Sequence, residues 1–201
     1  RTVGDKRNEG AHLGNMGVVY QAQGQHERSL ELFGQAIDIA RDVGDKRIES
    51  IHLGNRGDAL FRLERMDEAE SAYREAISVG EAGFPLAAGV FSGSLAVLLA
   101  QRGQFGEAAS RLENGEPLVE EHPDEHAKFL CKKGHFCSLV GDSEGARTAL
   151  SQAQALVAEL KVSEQSEVGE AVAVLRALLA EDAQGDASEA RELALAEAER
   201  L

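Results

Sequence analysis

The 201-residue sequence contains no tryptophan, three prolines, two cysteines and only 4% aromatic residues. Since 43% of its residues are nevertheless hydrophobic, its interior has to be built mainly from Ala, Leu and Val. Scarce proline together with abundant Ala, Glu and Leu favours helix over strand. Two cysteines are too few for the disulfide framework of a small secreted fold, which indicates a reducing compartment and predicts a cytoplasmic location.

Long apolar runs and a basic charge balance are also missing. No stretch approaches the roughly 18 consecutive apolar residues of a membrane-spanning helix. The formal net charge is −14, and a chain this acidic repels nucleic-acid phosphates and anionic membrane surfaces. We therefore expect no nucleic acid and no membrane among its partners, and favour a protein or peptide with a basic or mixed surface.

What the sequence does contain is a repeated phrase. Residues 4–15 read GDKRNEGAHLGN, and residues 44–55 read GDKRIESIHLGN. Self-similarity at a fixed period is typical of arrays in which each repeat is one supersecondary unit. Weaker copies follow, and aligning Gly17 with Gly57, Ala96 and Gly134 gives register steps of 40, 39 and 38 residues. The further aligned pairs of the first two copies are Tyr20 with Leu60, Ser29 with Ala69, Phe33 with Tyr73, and Ala36 with Ala76.

The spacing of small and aromatic residues in the first copy resembles the signature of the tetratricopeptide repeat family, in a longer form with Leu-Gly-Asn in its first helix. The residues that carry this resemblance are Gly17, Tyr20, Ser29, Phe33 and Ala36. The resemblance implies an all-α fold, a right-handed α-solenoid of antiparallel helical hairpins with a concave groove. It also implies a protein–protein interaction module that is not an enzyme, needs no cofactor, and captures a peptide segment or a partner helix.

The copies divide the chain into a single array over residues 1–201. We predict the end of a preceding repeat at 1–7, repeats at 8–43, 45–82, 86–121 and 124–161, and a degenerate fifth repeat or capping helices at 164–201. The first part is inferred because RTVGDKR at 1–7 matches RDVGDKR at 41–47. We therefore expect a scaffold or regulatory fragment of a larger protein, and the usage of Ala, Arg and Gly favours a bacterial one.

Turn and junction residues should set the helix ends. Gly24, Gly103 and Gly141 are expected to close the turns within hairpins in the left-handed conformation, a role for which the second copy has Leu63-Glu64-Arg65 instead. Gly44 should end one helix and Asp45 should cap the next. Gly4-Asp5 is expected to do the same for a helix that arrives from upstream.

Packing positions follow from the helical period of three and four. Small residues are expected where helices cross closely, at Gly17, Gly57, Ala96 and Gly134, and again at Ala36, Ala76 and Ala153. The larger packing residues of the first helix are predicted to be Leu13, Met16 and Tyr20.

The first helix of each hairpin lines the groove in arrays of this kind, at positions beside the packing positions. In similar arrays a ladder of Asn side chains holds an extended peptide by its main chain, and we assign that role to Asn15 and Asn55. Glycine precedes both, although mid-helix glycine costs about 1 kcal/mol relative to alanine. It indicates a close approach, either by a ligand backbone or by another helix of the array. The candidate peptide-binding residues are Gly14, Asn15, Val18, Gly54, Asn55, Asp58, Phe61, Ser94, Lys128, Lys132 and His135.

Two of these candidates have more than one interpretation. Lys128 and Lys132 stand four residues apart and share a helical face, which makes either a basic site for an acidic group of a peptide or a solvated surface. Phe61 is either an exposed anchor for a partner side chain or a contact with the next hairpin.

A metal site is the remote alternative, through the His and Cys residues of 122–137. HPDEH at 122–126 matches the string of inverted zinc proteases, but Pro123 favours a helix start that leaves His122 outside the helix. Cys131 and His135 are four apart, which suits a shared metal, whereas Cys137 falls at a packing position. We therefore predict no catalytic and no metal-binding residue. A structural spacer that self-associates through terminal repeats is the remaining alternative.

Overall fold

The computed structural model describes residues 3–181. Within this range the regular structure is helical and includes no strand, which confirms the predicted all-α class. None of these helices combines the length and the apolar character that crossing a bilayer requires. The helices are α1 (Val3–Ala22), α2 (His26–Val43), α3 (Lys46–Arg62), α4 (Met66–Gly83), α5 (Pro85–Gln101), α6 (Phe105–Gly115), α7 (Pro123–Leu139), α8 (Ser143–Leu160) and α9 (167–181), with a 3-10 helix at Glu116–Leu118.

The chain forms two compact units, Arg1–Glu121 and His122–Leu201. In the first unit, α1 to α6 form three helical hairpins, α1 with α2, α3 with α4, and α5 with α6. The two helices of each hairpin are joined by a turn of three residues and pack side by side. In the described part of the second unit, α7 and α8 form a fourth hairpin and α9 follows. The part of the predicted fifth repeat or capping helices that follows residue 181 lies outside the described residues.

The turn glycines adopt the predicted conformation. Gly24, Gly103 and Gly141 have φ of 74°, 74° and 78°, and each allows the next helix to turn back against the one before. In the second hairpin Glu64 takes the same left-handed conformation with φ of 58°. Since a side chain is disfavoured there, this turn carries the strain that the missing glycine predicts.

The junction between the first two hairpins also follows local rules. Gly44 has φ of 71°, and its amide donates to the carbonyls of Ala40 and Arg41. The side chain of Asp45 accepts a hydrogen bond of 3.1 Å from the amide of Ile48. The helix end and the helix start that Gly44 and Asp45 predict are therefore confirmed.

The parallel prediction for Gly4-Asp5 is wrong, because both residues lie inside α1. Gly44 ends α2 by bonding to carbonyls three and four residues behind it. Gly4 is not among the glycines with positive φ, so the backbone continues in the helical conformation through this position.

The hairpins are closed by small residues facing rings. Phe33 is fully buried, and its ring lies so near Gly17 that a Cβ there would come within 2.6 Å of Cε1. Tyr73 fills the same place beside Gly57 at 2.6 Å from Cδ1, and in the second unit Leu175 lies beside Gly134 at 2.6 Å from Cδ2. The predicted close crossings at these glycines are confirmed.

Met16 is a correction to the predicted packing set. Its side chain is 48% exposed, and Arg56, which takes the same place in α3, is exposed as well. In both helices this position faces away from the partner helix of the hairpin, so a long apolar residue here is not held in the core. Leu13 and Tyr20 are half-buried.

Candidate functional site

Gly14 and Gly54 are covered by rings of the next hairpin. A Cβ on Gly14 would lie 1.9 Å from Cε1 of His52, and one on Gly54 would lie 2.0 Å from Cζ of Phe91. Contact within the array, one of the two alternatives that the sequence left open, therefore accounts for both glycines. Since the space that glycine leaves is filled by a side chain, a ligand backbone cannot use it, and these two residues do not enter the proposed surface.

Sequence reasoning did not select His52 or Phe91, although a signal was present. In α3 and α5, the ring that covers the glycine of the preceding hairpin stands two residues before the glycine of its own helix. The two segments are His52-Leu53-Gly54 and Phe91-Ser92-Gly93. His12 occupies the same place in the first hairpin and is exposed. Of these two histidines, His52 is the one that packs between hairpins in the described residues.

Asn15 and Asn55 occupy equivalent positions on α1 and α3, which pack against each other. The side chain of Asn15 is exposed and that of Asn55 is half-buried. In the part of the chain that the structure describes, neither amide hydrogen-bonds with a protein group. Both amides thus keep their donor and acceptor capacity toward an outside group.

Asp58 lies one turn beyond Asn55 and is tied to the core. The hydroxyl of Tyr73 donates a hydrogen bond of 2.7 Å to Oδ1 of Asp58. Burial, the charge of Asp58 and this hydrogen bond raise the pKa of Tyr73 well above its ordinary value. Ser94 hydrogen-bonds with the same tyrosine and is only 9% exposed. Ser94, the groove candidate of α5 at the position equivalent to Asn15 and Asn55, is therefore closed to a ligand.

Val18 and Phe61 provide the apolar part of this surface. The side chain of Val18 is 46% exposed, and Phe61 is half-buried on α3. We call a set of five residues the α1–α3 surface: Asn15, Val18, Asn55, Asp58 and Phe61. It contains an amide on each of two neighbouring helices and an apolar side chain on each of them.

The predicted basic candidates lie in the second unit. Nζ of Lys128 is 2.7 Å from Oε1 of Glu125 and 3.2 Å from Oε1 of Glu167. Burial alone would lower the pKa of Lys128, but hydrogen bonds with these two carboxylates raise it. Two carboxylates neutralise one ammonium, so Lys128 is not a basic site awaiting an acidic peptide. Lys132 and His135 are half-buried on the same helix.

The cysteines of the second unit are core residues. Cys131 is 7% exposed and packs with Leu130, Ala153, Val172 and Leu175. Burial raises the pKa of its thiol to about 11, which keeps it protonated and unsuited to bind zinc. Across residues 3–181, no three His, Cys, Asp or Glu side chains come together as a metal site, and the zinc alternative has no geometry to support it.

Comparison with known proteins agrees with the hairpin geometry. Residues 8–82 match the tetratricopeptide repeat family, which confirms the resemblance carried by Gly17, Tyr20, Ser29, Phe33 and Ala36. The matched segment contains α2 and α3 completely and most of α1 and α4. Tetratricopeptide repeats generally mediate protein–protein interactions and are typically not enzymes. Comparison with curated protein sequences gives no match.

Solved structures show the same fold over more of the chain. A putative kinesin light chain with nearly identical TPR-like repeats from Podosopora anserina has a TM-score of 0.61 at 18% identity, covering 93% of this chain and 92% of that one. BtubC (BKLC) from P. vanneervenii has a TM-score of 0.60 at 15% identity, covering 78% of this chain and 66% of its own. A Rap protein complexed with Competence and Sporulation Factor has a TM-score of 0.53 at 21% identity, covering 88% and 51%.

Proposed function

We propose that the first unit binds an extended segment of a partner protein across the α1–α3 surface. The observation that carries this proposal is the pair of equivalent amides at Asn15 and Asn55, which have no protein partner within residues 3–181. An Asn side chain can donate to a carbonyl and accept from an N–H, which is what a peptide bond requires. Two such amides on neighbouring helices would hold a main chain without reading its sequence.

Apolar side chains next to the amides supply the selectivity. Val18 and Phe61 offer accessible apolar area to one or two side chains of the segment. The carboxylate of Asp58, which accepts a hydrogen bond from the Tyr73 hydroxyl, adds a negative charge to the α1–α3 surface. The partner we expect is thus an extended segment with apolar residues and a basic residue, consistent with the formal net charge of −14.

The relatives are consistent with this role. The Rap protein was solved in complex with Competence and Sporulation Factor, and the present chain is similar to it in fold. We further propose that the present chain acts as a scaffold or regulatory part of a larger bacterial protein in the cytoplasm. The two free, buried cysteines support a reducing compartment.

Selection from a randomised peptide library displayed on phage tests the binding role. Peptides selected on the wild-type chain should bind the Asn15→Ala/Asn55→Ala variant at least about tenfold more weakly, since two hydrogen bonds of about 1 kcal/mol each are lost. Asn114→Ala is the matched control, because Asn114 is exposed on α6. Equal binding by the double variant, or failure of the library to yield any peptide, contradicts the proposal.

Self-association is the second candidate function, and an exposed apolar face on α1 favours it. Val19 is 54% exposed, whereas Ala59, at the equivalent position of α3, is fully buried. Light scattering over a range of concentrations should then show dimers that Val19→Glu abolishes. A chain that stays monomeric throughout excludes this function without affecting the first.

A further inference from the structure

His52 lies buried where the first two hairpins meet. Only 6% of the residue is exposed, and its ring stacks on Phe33 with centroids 5.9 Å apart and planes inclined by 21°. The ring covers Gly14 of α1, where a Cβ would lie 2.0 Å from Nε2. Three helices, α1, α2 and α3, therefore pack around one imidazole, and we call this contact the His52 joint.

The surroundings of the His52 imidazole do not stabilise its protonated form. Nδ1 of His52 is buried and has no hydrogen-bond partner within residues 3–181. A proton on this nitrogen would place a positive charge between Phe33 and the backbone at Gly14. Burying an unpaired charge is costly, and the alternative is for the ring to leave its place or for water to enter.

No nearby charge offsets that cost. Burial is the cause that lowers the pKa of His52 to about 4, and no carboxylate contributes to it. Glu49, the closest carboxylate on the same helix, already accepts hydrogen bonds of 2.9 Å from Arg41 and 2.8 Å from Lys46. The charged or titratable residues within two turns of Gly14, Phe33 and His52 on their own helices are Arg7, Glu9, His12 and Tyr20 on α1, His26, Glu27, Arg28, Glu31 and Asp38 on α2, and Lys46, Arg47, Glu49, Arg56 and Asp58 on α3.

The contact between the second and third hairpins has the same packing without a titratable group. Phe91 covers Gly54 as His52 covers Gly14, and it lies 6.4 Å from Tyr73 as His52 lies beside Phe33. A ring is therefore what the packing needs, and a histidine adds only the capacity to take up a proton. The His52 joint also connects α1, with Asn15, to α3, with Asn55.

We propose that protonation of His52 loosens the joint between α1 and α3 and so releases a segment held across Asn15 and Asn55. Partner binding by the first unit then becomes sensitive to pH. The opening of the joint follows from the packing alone, while the release of a segment rests on the proposed function. The variant that isolates the effect is His52→Phe, since Phe91 shows that phenylalanine fits over the groove glycine.

Hydrogen exchange of the α1 amides, corrected for intrinsic rates, measures the opening without any partner. Between about pH 7.5 and about pH 5 the opening equilibrium of the wild type should rise about 30-fold, because the opened state binds a proton that the closed state excludes. His52→Phe and His52→Leu should show no such rise. His12→Phe, at the exposed equivalent position, should behave as the wild type. A rise that is absent from the wild type, or equal in all variants, overturns the proposal.

Binding of a peptide selected from the phage library measures the release. The wild type should lose the peptide at about pH 5 and regain it at about pH 7.5, whereas His52→Phe should bind at both. If the joint opens at low pH but peptide binding does not change with pH, the proposed release is wrong. If no peptide binds at any pH, the proposed function fails and the release fails with it, but the exchange result still decides whether the joint opens.

Discussion

At the residue scale, contacts of single glycines and polar side chains decide both stability and the shape of the α1–α3 surface. The glycines of α1 and α3 carry no ligand contact of their own, because His52 and Phe91 fill the space that a Cβ would need. These glycines leave room for the two rings. Replacing a glycine by alanine, which adds one methyl group, measures how much this room contributes to stability.

We expect Gly54→Ala to destabilise the first unit by about 1–3 kcal/mol, since the Cβ would overlap the ring of Phe91 in a packed interior. Gly34→Ala is the matched control, because a Cβ at Gly34, also within a helix, meets nothing within 4 Å. It should stabilise the chain by roughly 0.5–1 kcal/mol. Urea unfolding followed by circular dichroism measures both, and equal effects would contradict the packing assignment.

The hydroxyl of Tyr73 is a second test at this scale. Tyr73→Phe should cost about 1–2 kcal/mol, because the carboxylate of Asp58 loses its buried donor. Phe33 occupies the equivalent place in the first hairpin, so phenylalanine fits. Tyr20→Phe is the control on a half-buried tyrosine. Thermal unfolding that leaves Tyr73→Phe as stable as the wild type would show that the hydrogen bond contributes nothing.

At the element scale, the helix ends follow from short-range chemistry. The turns at Gly24, Gly103 and Gly141, and the junction at Gly44-Asp45, were predictable because left-handed φ and side-chain capping are properties of a few consecutive residues. Gly4-Asp5 consists of the same two residues as Gly44-Asp45 but does not end a helix.

The strained turn of the second hairpin gives a prediction at this scale. Glu64→Gly should stabilise the chain by about 1 kcal/mol, because Glu64 has φ of 58° and glycine adopts this conformation without a steric penalty. Gly103→Glu reverses the change at the equivalent turn and should destabilise by a similar amount. Differential scanning calorimetry measures the two midpoints, and shifts in the same direction would contradict the account.

At the scale of the whole molecule, charged side chains tie successive hairpins of the first unit together. Arg74 of α4 bonds with Glu107 of α6 at 2.7 Å, and Arg102 bonds with Asp67 at 2.7 Å. Glu49 is the buried member of this set, with its side chain 4% exposed, and it links α3 to Arg41 of α2. The pairs made by Arg74 and Arg102 join residues 33 and 35 positions apart in the chain, so no local pattern predicted them.

Glu49 should make the first unit sensitive to acid. Burial would raise the pKa of Glu49, but the hydrogen bonds from Lys46 and Arg41 lower it below its ordinary value. Its contribution is therefore complete above the unfolded pKa of about 4.3 and is lost as pH falls below that value. Glu49→Gln should cost about 1 kcal/mol at neutral pH and nothing in strong acid. Urea midpoints at several pH values measure the difference, and a constant gap would exclude this role.

The sequence by itself determined the all-α class, the repeat register, the turn positions and the small residues at crossings. Each of these depends on helical period, on backbone conformation or on a few neighbouring residues. Tertiary structure alone decided that Met16 is exposed, that Ser94 is closed off by Tyr73, and that Lys128, which has Glu125 beside it on its own helix, is also paired with Glu167. It also placed His52 over Gly14. These outcomes depend on which side chain of another helix reaches the same point, and that partner stands tens of residues away in the chain.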